Sequence, residues 1–273
     1  MKRAFVIGHP IAHSRSPASH RYWLRTYGIE GRYEAIDLAP EALPGFFDRL
    51  RSGEFAGGNV TIPHKEIAHK LADTLDPLAA RIGAVNTLTI DKGVVAGTNT
   101  DYLGFLGNLD QGAPGWSDGL EHAIVLGAGG AARAVLVALL ERGLPKIDLL
   151  NRTVKTAETL AVEFGGPITA GALADFPQHA SGAGLVVNTS SIGMHGSRFE
   201  GLDLNALPQS AIVTDIVYTP LVTPLLEEAN ARGLRTVDGL GMLLHQAVPG
   251  FEAWFGVRPE VTAELRASVE ADL

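Results

Sequence analysis

Short apolar runs alternate with helix-like segments along the first hundred residues. The apolar runs predict strands over 4–8, 33–38, 58–62, 84–90 and 94–98, and the segments between them predict helices over 16–27, 40–50, 64–72 and 77–82. Ser16 and Pro17 are typical of a helix start, with Ser16 as the cap, and Gly28 is typical of a helix end. Asp91-Lys92-Gly93 predicts a hairpin whose three-residue turn closes with glycine.

The second half of the chain repeats a strand–helix pattern after a connection rich in turn formers at 110–119. Strands are predicted over 123–126, 146–150, 185–188, 211–216 and 235–237, and helices over 131–141, 154–164, 241–255 and 259–271, with a further one opening at Thr223-Pro224. Strands that alternate with helices at this spacing form parallel sheets with helices on both faces. We therefore expect an α/β fold with two sheets and a domain boundary near residues 101–105.

Small residues fill the turn after the predicted strand 123–126. The turn reads Gly127-Ala128-Gly129-Gly130-Ala131-Ala132. In such a turn the first glycine lets the chain reverse, the second lets backbone N–H groups approach a pyrophosphate, and the last small residue lets the helix pack on the strand. The helix N-terminus offers unpaired N–H groups and the positive end of its dipole to phosphates. The pattern predicts a Rossmann domain that binds a dinucleotide.

The residues at the end of the next predicted strand bear on the choice of cofactor. Asn151-Arg152-Thr153 lies about 20 residues past the glycines, where an NAD-binding domain places an acidic side chain on the ribose 2′-hydroxyl. A guanidinium there can bind a 2′-phosphate through two charge-assisted hydrogen bonds. Arg152 therefore favours NADP, although a solvated arginine at a strand end is the alternative.

Polar residues at other predicted strand ends form a second group with chemical potential. Lys65 opens a helix, where a cation meets the unfavourable end of the dipole, and Asn86 and Asp101 follow later strands. Ser14 and Ser16 present two hydroxyls before a helix, a candidate cradle for an anion. Each residue alone has an ordinary explanation, such as an exposed lysine, a turn asparagine or a helix cap. Together they predict a polar pocket with one amine and one carboxylate, suited to proton transfer.

Composition narrows the class of protein. The chain has 273 residues, a formal charge of −8, 46% hydrophobic residues and no cysteine. The negative charge argues against nucleic-acid and anionic-membrane partners, and the absence of cysteine excludes disulfides and thiolate zinc sites. The apolar run near the N-terminus is too short for a signal peptide, so we expect a cytoplasmic protein. His64 and His69 are five residues apart and share no helical face, so no metal site is expected.

Several motifs resemble the shikimate dehydrogenase family along essentially the whole chain. The most specific are Asn59-Val60-Thr61-Ile62-Pro63-His64-Lys65 and Gly97-Thr98-Asn99-Thr100-Asp101. The others are Gly8 to Pro17, Ile82-Gly83-Ala84-Val85-Asn86-Thr87, the glycine turn, Asn151-Arg152-Thr153 and Asp238 to Gln246. The resemblance implies a substrate-binding and catalytic domain with a mainly parallel sheet, from residues 1–101 plus 240–273. It also implies a central Rossmann domain, residues 102–239, that binds NADP.

The resemblance further implies an activity and a set of site residues. The activity is the reversible, NADP-dependent reduction of 3-dehydroshikimate to shikimate in chorismate and aromatic amino-acid biosynthesis. Lys65 and Asp101 would be catalytic, and the substrate would be bound by Ser14, Ser16, Thr61, Asn86, Tyr218 and Gln246. The cofactor would be bound by Gly127, Ala128, Gly129, Gly130, Ala131, Asn151, Arg152, Thr153, Lys155, Thr189, Ile216, Gly239 and Met242.

One departure from the family pattern concerns the cofactor site. NADP-dependent members often have a second basic residue five positions after the asparagine of Asn-Arg-Thr, where this chain has Thr156, with Lys155 one place earlier. A shift of one residue turns a helical side chain by roughly 100°. NADP preference therefore rests mainly on Arg152.

Two other functions stay open at this point. The protein could oxidise quinate, or both quinate and shikimate, with NAD or NADP, although Arg152 and Ser16 favour shikimate. It could instead be a non-catalytic NADP sensor, although such a protein would be expected to lack the amine and the carboxylate at Lys65 and Asp101. We expect a small-molecule substrate, no nucleic acid, no membrane, and either a monomer or a homodimer.

Overall fold

A computed structural model describes all residues from 1 to 273, and the chain divides into two compact units. The first unit contains residues 1–104 and 243–273, and the second contains residues 105–242. We call them the N-terminal unit and the central unit. No helix of the protein is both long enough and apolar enough to cross a lipid bilayer.

The N-terminal unit alternates strands and helices. Its elements in chain order are β1 (Lys2–Gly8), α1 (Ser16–Thr26), β2 (Gly31–Asp37), a 3-10 turn (Pro40–Ala42), α2 (Leu43–Arg51), β3 (Gly57–Val60), α3 (Lys65–Leu71), β4 (Thr74–Leu75), α4 (Pro77–Ile82), β5 (Thr87–Asp91) and β6 (Val94–Thr98). Helix α5 (Asp101–Gly112) starts in this unit, and the chain returns to it within α10 (Leu240–Phe255) before α11 (Ala263–Glu270).

The sheet of the N-terminal unit has the order β2-β1-β3-β5-β6-β4. Strand β1 pairs in parallel with β2 and β3, and β4 pairs in parallel with β6. Strand β5 is antiparallel to both of its neighbours, because a tight hairpin joins it to β6. The sheet is therefore mainly parallel, as predicted, and its one antiparallel strand belongs to the hairpin that the turn at residues 91–93 predicts.

Two local predictions in this unit were wrong. The hairpin turn has two residues rather than three, since Asp91 pairs with Val94 and only Lys92 and Gly93 lie between them, with φ of 50° and 80°. Two consecutive residues with positive φ match the right-handed twist of the strands. The cap of α1 is Arg15 instead of Ser16, which lies inside the helix and makes no capping hydrogen bond.

The central unit is a doubly wound sheet. Its elements are β7 (His122–Leu126), α6 (Gly130–Glu141), β8 (Lys146–Asn151), α7 (Val154–Phe164), β9 (Ile168–Ala172), α8 (Phe176–Ala180), β10 (Leu185–Asn188), β11 (Ile192–His195), β12 (Ile212–Asp215), α9 (Pro224–Ala231) and β13 (Arg235–Val237). The sheet order is β13-β12-β10-β7-β8-β9 and every neighbouring pair is parallel. This is the order 3-2-1-4-5-6 of a Rossmann domain, which reverses between β7 and β10. The predicted Rossmann fold is confirmed.

Buried apolar residues explain why the central strands of this sheet could be predicted from the sequence. Ile124, Leu126, Leu150, Val186 and Val213 are all fully buried and belong to one hydrophobic cluster. Strands covered by helices on both faces have apolar side chains on both faces, so they appear as continuous apolar runs. The layer holds the strand ends, and the polar residues on them, in fixed positions.

Candidate active site

Lys65 and Asp101 form a close ion pair in the N-terminal unit. Lys65 is the first residue of α3, Asp101 is the first residue of α5, and Lys65 Nζ lies 2.5 Å from Asp101 Oδ2. Their side chains are 16% and 8% exposed. The backbone carbonyl of Lys65 accepts a hydrogen bond from Val85 N at 2.9 Å, which ties the start of α3 to the segment before β5. The pair is a charge-assisted hydrogen bond that is largely protected from water.

Asn86 fixes the other oxygen of the carboxylate. Its Oδ1 accepts a hydrogen bond from Thr100 N at 2.7 Å, and since a backbone N–H can only donate, its Nδ2 must be the atom that faces Asp101. Nδ2 donates to Asp101 Oδ1 at 2.8 Å. Asp101 therefore accepts one hydrogen bond at each oxygen, as an ionised carboxylate does.

Gln246 of α10 also reaches this group. Its Oε1 accepts a hydrogen bond from Asn86 Nδ2 at 3.2 Å, and its Nε2 donates to Leu243 O at 2.9 Å. The structure thus brings together four of the predicted site residues, namely Lys65, Asn86, Asp101 and Gln246, although they are up to 181 positions apart in sequence, from 65 to 246.

A layer of buried polar side chains behind Asn86 was not predicted from the sequence. Asn59 Nδ2 donates to Asn86 O and to Thr87 Oγ1, both at 3.2 Å, and Tyr33 OH donates to Asn59 Oδ1 at 2.6 Å. Burial raises the pKa of the Tyr33 hydroxyl, against the opposing effect of a hydrogen bond with Ser16, so Tyr33 keeps its proton and acts as a donor. Asn59 is the first residue of the Asn-Val-Thr motif. Its position near the end of a buried strand could have indicated that it supports the site.

The remaining predicted substrate residues of this unit make no hydrogen bond with the ion pair itself, and Ser16 is linked to it indirectly, through its hydrogen bond with Tyr33. Ser16 is 5% exposed, and Ser14 and Thr61 are half-buried. Gly8 packs directly against Thr61, since a Cβ at Gly8 would lie 2.5 Å from Thr61 Cγ2. Their roles toward a ligand therefore stay predictions.

The glycine turn of the central unit has two kinds of glycine. Gly127 has a φ of 101°, and a Cβ there would lie 3.0 Å from Ser190 N, so conformation and space both require glycine. Gly129 is the N-cap of α6 and Gly130 its first residue, and a Cβ at either would meet nothing within 4 Å. Open space in front of a helix N-terminus fits a pyrophosphate. Ala132 is fully buried between helix and sheet, as the motif predicts.

The loop after β8 presents a free guanidinium. Arg152 and Thr153 are exposed, and Asn151 Nδ2 donates to Thr153 O at 3.0 Å. No acidic side chain pairs with Arg152, while Lys155 Nζ lies 3.5 Å from Glu158 Oε2 on its own helix. An uncompensated guanidinium at the end of the second Rossmann strand fits a 2′-phosphate and does not fit an NAD ribose held by a carboxylate. The donors present therefore fit NADP.

The loops after β10 and β12 lie on the other side of the point where the strand order reverses. Thr189 Oγ1 donates to Leu126 O at 2.9 Å, and Ile216 N donates to Asn188 O at 3.1 Å. A Cβ at Gly239 would lie 2.4 Å from Ile216 O, so Gly239 permits a close approach of two backbones. Strand ends next to the point where a Rossmann sheet reverses its order line the crevice in which a dinucleotide binds. Met242 is 7% exposed, and Tyr218 is half-buried.

A Rossmann sheet with this glycine turn, together with a buried amine–carboxylate pair, defines the class of nicotinamide-dependent dehydrogenases. Three family models match the sequence: the shikimate dehydrogenase substrate binding domain over residues 6–88, shikimate/quinate 5-dehydrogenase over 117–242, and the shikimate 5′-dehydrogenase C-terminal domain over 239–267. The chain belongs to the shikimate dehydrogenase family. The resemblance inferred from the motifs is confirmed.

Individual relatives agree with the family. A shikimate dehydrogenase (NADP(+)) of Mesorhizobium japonicum is 56% identical over 272 residues, covering 100% of this chain and 97% of the relative. A crystal structure of the Thermus thermophilus shikimate 5-dehydrogenase in complex with NADP(H) and shikimate is 40% identical, with a TM-score of 0.87 and complete coverage of both chains. A quinate dehydrogenase of Corynebacterium glutamicum in complex with NAD is 30% identical, with a TM-score of 0.89 and 99% coverage of both chains.

Proposed function

We propose that this protein catalyses the reversible, NADP-dependent reduction of 3-dehydroshikimate to shikimate, a step of chorismate and aromatic amino-acid biosynthesis. The observation that carries the proposal is the contact of Lys65 Nζ with Asp101 Oδ2 at 2.5 Å, within the unit whose sequence matches the family's substrate binding domain. The family, the Rossmann order of the central unit and the free Arg152 support the same reaction.

Lys65 is the group that exchanges a proton with the substrate. In ketone reduction, its ammonium gives a proton to the ketone oxygen as the C=O double bond becomes a C–O single bond. NADPH, when bound, supplies the hydride that adds to the ketone carbon. Asp101 accepts a hydrogen bond from the ammonium, which orients Nζ and stabilises the charge before transfer. In the oxidation of shikimate, the neutral amine takes the hydroxyl proton back.

The other polar groups of the N-terminal unit bind the substrate. We assign Asn86 and Gln246 to ring hydroxyls, and their hydrogen-bonded group with Asp101 supports this assignment. We assign Thr61 to a ring hydroxyl, and Ser14 and Ser16 to the substrate carboxylate. Tyr218 is assigned to the substrate from the central unit. These roles follow the family motifs that the chain retains.

The cofactor roles follow from the central unit. The backbone of residues 127–131 holds the pyrophosphate at the start of α6, where Gly129 and Gly130 leave open space. Arg152 binds the 2′-phosphate, with Asn151, Thr153 and Lys155 beside it. Thr189, Ile216, Gly239 and Met242 border the nicotinamide half. Residues 1–101 plus 240–273 are then the substrate-binding and catalytic domain, and 102–239 the NADP domain.

Oxidation of quinate is the second candidate function. Its support is the 30% identical quinate dehydrogenase that was solved with NAD, together with the position of Lys155, whose amine faces Glu158. The exposed Arg152 favours NADP and therefore shikimate. The cytoplasmic location and the choice between monomer and homodimer stay predictions.

Steady-state rates with the four combinations of shikimate or quinate and NADP⁺ or NAD⁺ test the proposal. We expect the absorbance of reduced nicotinamide to rise fastest with shikimate and NADP⁺. A fastest rate with quinate and NAD⁺ would establish the second candidate, and no rise with any combination would contradict both.

A further inference from the structure

Asp215 is a buried carboxylate at the end of β12. Its side chain is fully buried, and three neutral groups donate hydrogen bonds to it. Oδ1 accepts from Asn188 Nδ2 at 2.8 Å and from Val217 N at 2.9 Å, and Oδ2 accepts from Thr223 Oγ1 at 2.7 Å. Burying a carboxylate is costly, and these three donors are what makes it tolerable.

The carboxylate and Asn188 together hold two loops. Asn188 Nδ2 also donates to Ile192 O at 2.7 Å, and its Oδ1 accepts from Ser190 N at 2.9 Å and from Ser190 Oγ at 2.8 Å. Asn188 therefore fixes the loop after β10, while Asp215 fixes the loop after β12 through Val217. The hydrogen bond from Asn188 to Asp215 joins the two loops in one network.

The two loops are those assigned to the nicotinamide half of the cofactor. They contain Thr189 and Ile216, and they leave the carboxyl ends of β10 and β12, next to the point where strand order reverses. We propose that Asp215 is a positioning residue for the nicotinamide half of NADP, acting through Asn188 and the backbone of Val217. This proposal rests on the proposed function, because it takes the cofactor to lie across these strand ends.

Protonation of the Asp215 carboxylate would change this network. Burial raises the pKa of Asp215 to about 6, against the opposing hydrogen bonds with Thr223, Val217 and Asn188. A protonated carboxyl must donate, and among its three partners only the Thr223 hydroxyl can also accept. Thr223 then has to reverse its hydrogen bond, and the carboxylate charge that attracts all three donors is lost. We therefore expect weaker ordering of the loops below about pH 6.

The elements next to Asp215 carry other charged or titratable side chains, including His195 on β11, the strand whose Gly193 lies against Asp215. On α9, Glu227 pairs with Arg198 and Glu228 accepts from Leu204 N. On β13, Arg235 donates to Pro114 O. The Asp215→Asn variant is therefore what assigns a pH dependence of loop order to Asp215 rather than to these groups or to the His122 cluster of the same unit.

The first test compares the dissociation constant of NADPH, from its fluorescence at pH 7.5 and 5.5, for the wild type, Asp215→Asn and Asp215→Ala. Asparagine keeps Oδ1 as an acceptor and does not titrate, so we expect affinity within about threefold of wild type at pH 7.5. At pH 5.5 we expect Asp215→Asn to lose less affinity than the wild type, because protonation of the 2′-phosphate weakens binding in both. Alanine leaves three donors without an acceptor, so we expect affinity to fall about tenfold or more. The wild type should weaken at pH 5.5.

A matched pair at Thr223 separates positioning from mere folding. Thr223→Ser keeps the hydroxyl and should behave as wild type. Thr223→Val removes a donor to the carboxylate, which raises the pKa of Asp215 further and should move the midpoint of NADPH binding to higher pH. Asp203→Asn removes an exposed carboxylate of the same unit, which accepts from Asn205 N, and serves as the control that should change nothing.

The outcomes distinguish this inference from the proposed function. If Asp215→Asn keeps the wild-type pH dependence of NADPH binding, or if folded Asp215→Ala binds NADPH as wild type does, the inference is wrong even though the wild type oxidises shikimate. If the wild type fails to reduce NADP⁺ with shikimate while the Asp215 variants change NADPH affinity as described, the substrate assignment is wrong and the inference stands.

Discussion

The hydrogen bonds to Asp101, and the bond that orients the Asn86 amide beside it, each have an identifiable donor. Thr100 N orients the Asn86 amide, the Asn86 amide donates to Asp101 Oδ1, and Lys65 donates to Asp101 Oδ2. Both oxygens of Asp101 therefore accept hydrogen bonds from donors on other elements. Asp101 is therefore suited to hold the Lys65 ammonium, and Lys65 is left as the group that exchanges a proton with substrate.

At the residue scale, substitutions of Arg152 and Lys155 are expected to differ in their effect on the KM for NADP⁺. Arg152→Ala removes a bidentate partner of a 2′-phosphate, so we expect the KM for NADP⁺ to rise about 10- to 100-fold and the KM for NAD⁺ to change little. Lys155→Ala is the comparison and should raise the KM for NADP⁺ less than Arg152→Ala does, because its amine also pairs with Glu158. Equal effects of the two variants on the KM for NADP⁺ would contradict the assignment of Arg152.

Motif residues could be predicted from the sequence, but their supporting residues could not. Lys65, Asn86 and Asp101 stand out because they follow predicted strands, and strand ends in an α/β sheet line a crevice. Tyr33 and Asn59 support Asn86 from strands that are distant in sequence, and no local pattern shows that contact. Ser16 was assigned as a cap on propensity alone, yet the chain enters the helix one residue earlier.

At the scale of elements, most helices and strands were predicted from the sequence and a few were missed. The predicted bounds of α7, β10 and β13 agree with the structure. Strand β9 was missed because Ile168-Thr169-Ala170-Gly171-Ala172 has few β-branched or large apolar residues and is held by its pairing with β8. The segment 110–112, predicted as part of a loose connection, continues helix α5, since apolar residues preceding it pack in the core.

Two substitutions in the glycine turn distinguish its contribution to stability from its contribution to cofactor binding. Gly127→Ala adds a Cβ at a φ of 101° and within 3.0 Å of Ser190 N, so we expect a loss of about 1–3 kcal/mol of stability. Gly129→Ala places a Cβ in open space, so we expect an unchanged melting temperature but weaker NADPH binding. Thermal melts and NADPH titrations check both. A Gly129→Ala variant that binds NADPH normally would contradict the placement of the pyrophosphate.

At the scale of the whole molecule, a buried cluster makes stability depend on pH. Asp148 Oδ2 lies 2.7 Å from His122 Nε2, 2.9 Å from His179 Nδ1 and 3.3 Å from Lys146 Nζ, all in the central unit. Burial lowers the pKa of His122, against an opposing hydrogen bond with Asp148. As pH falls below the ordinary histidine range, the unfolded chain binds a proton that the folded His122 resists, so stability falls.

His122→Gln tests this pH dependence, because glutamine can donate to Asp148 but cannot be protonated. We expect wild-type stability to decrease between pH 6.5 and 5 by at most about 1.4 kcal/mol per pH unit more than that of the variant. His9→Gln, at an exposed position on the N-terminal unit, is the control and should follow the wild type. Denaturant melts at several pH values measure the difference, and parallel curves for wild type and His122→Gln would contradict the assignment.

The most direct test of the account is the turnover number of Lys65→Ala with shikimate and NADP⁺, compared with Lys70→Ala on the exposed side of the same helix. General acid–base catalysis typically contributes about 10²- to 10⁴-fold, so we expect kcat of Lys65→Ala to fall by about that factor while the dissociation constants of shikimate and NADP⁺ change little. Lys70→Ala should keep wild-type kcat. An unchanged kcat in Lys65→Ala would contradict the claim that Lys65, held by Asp101, transfers the proton.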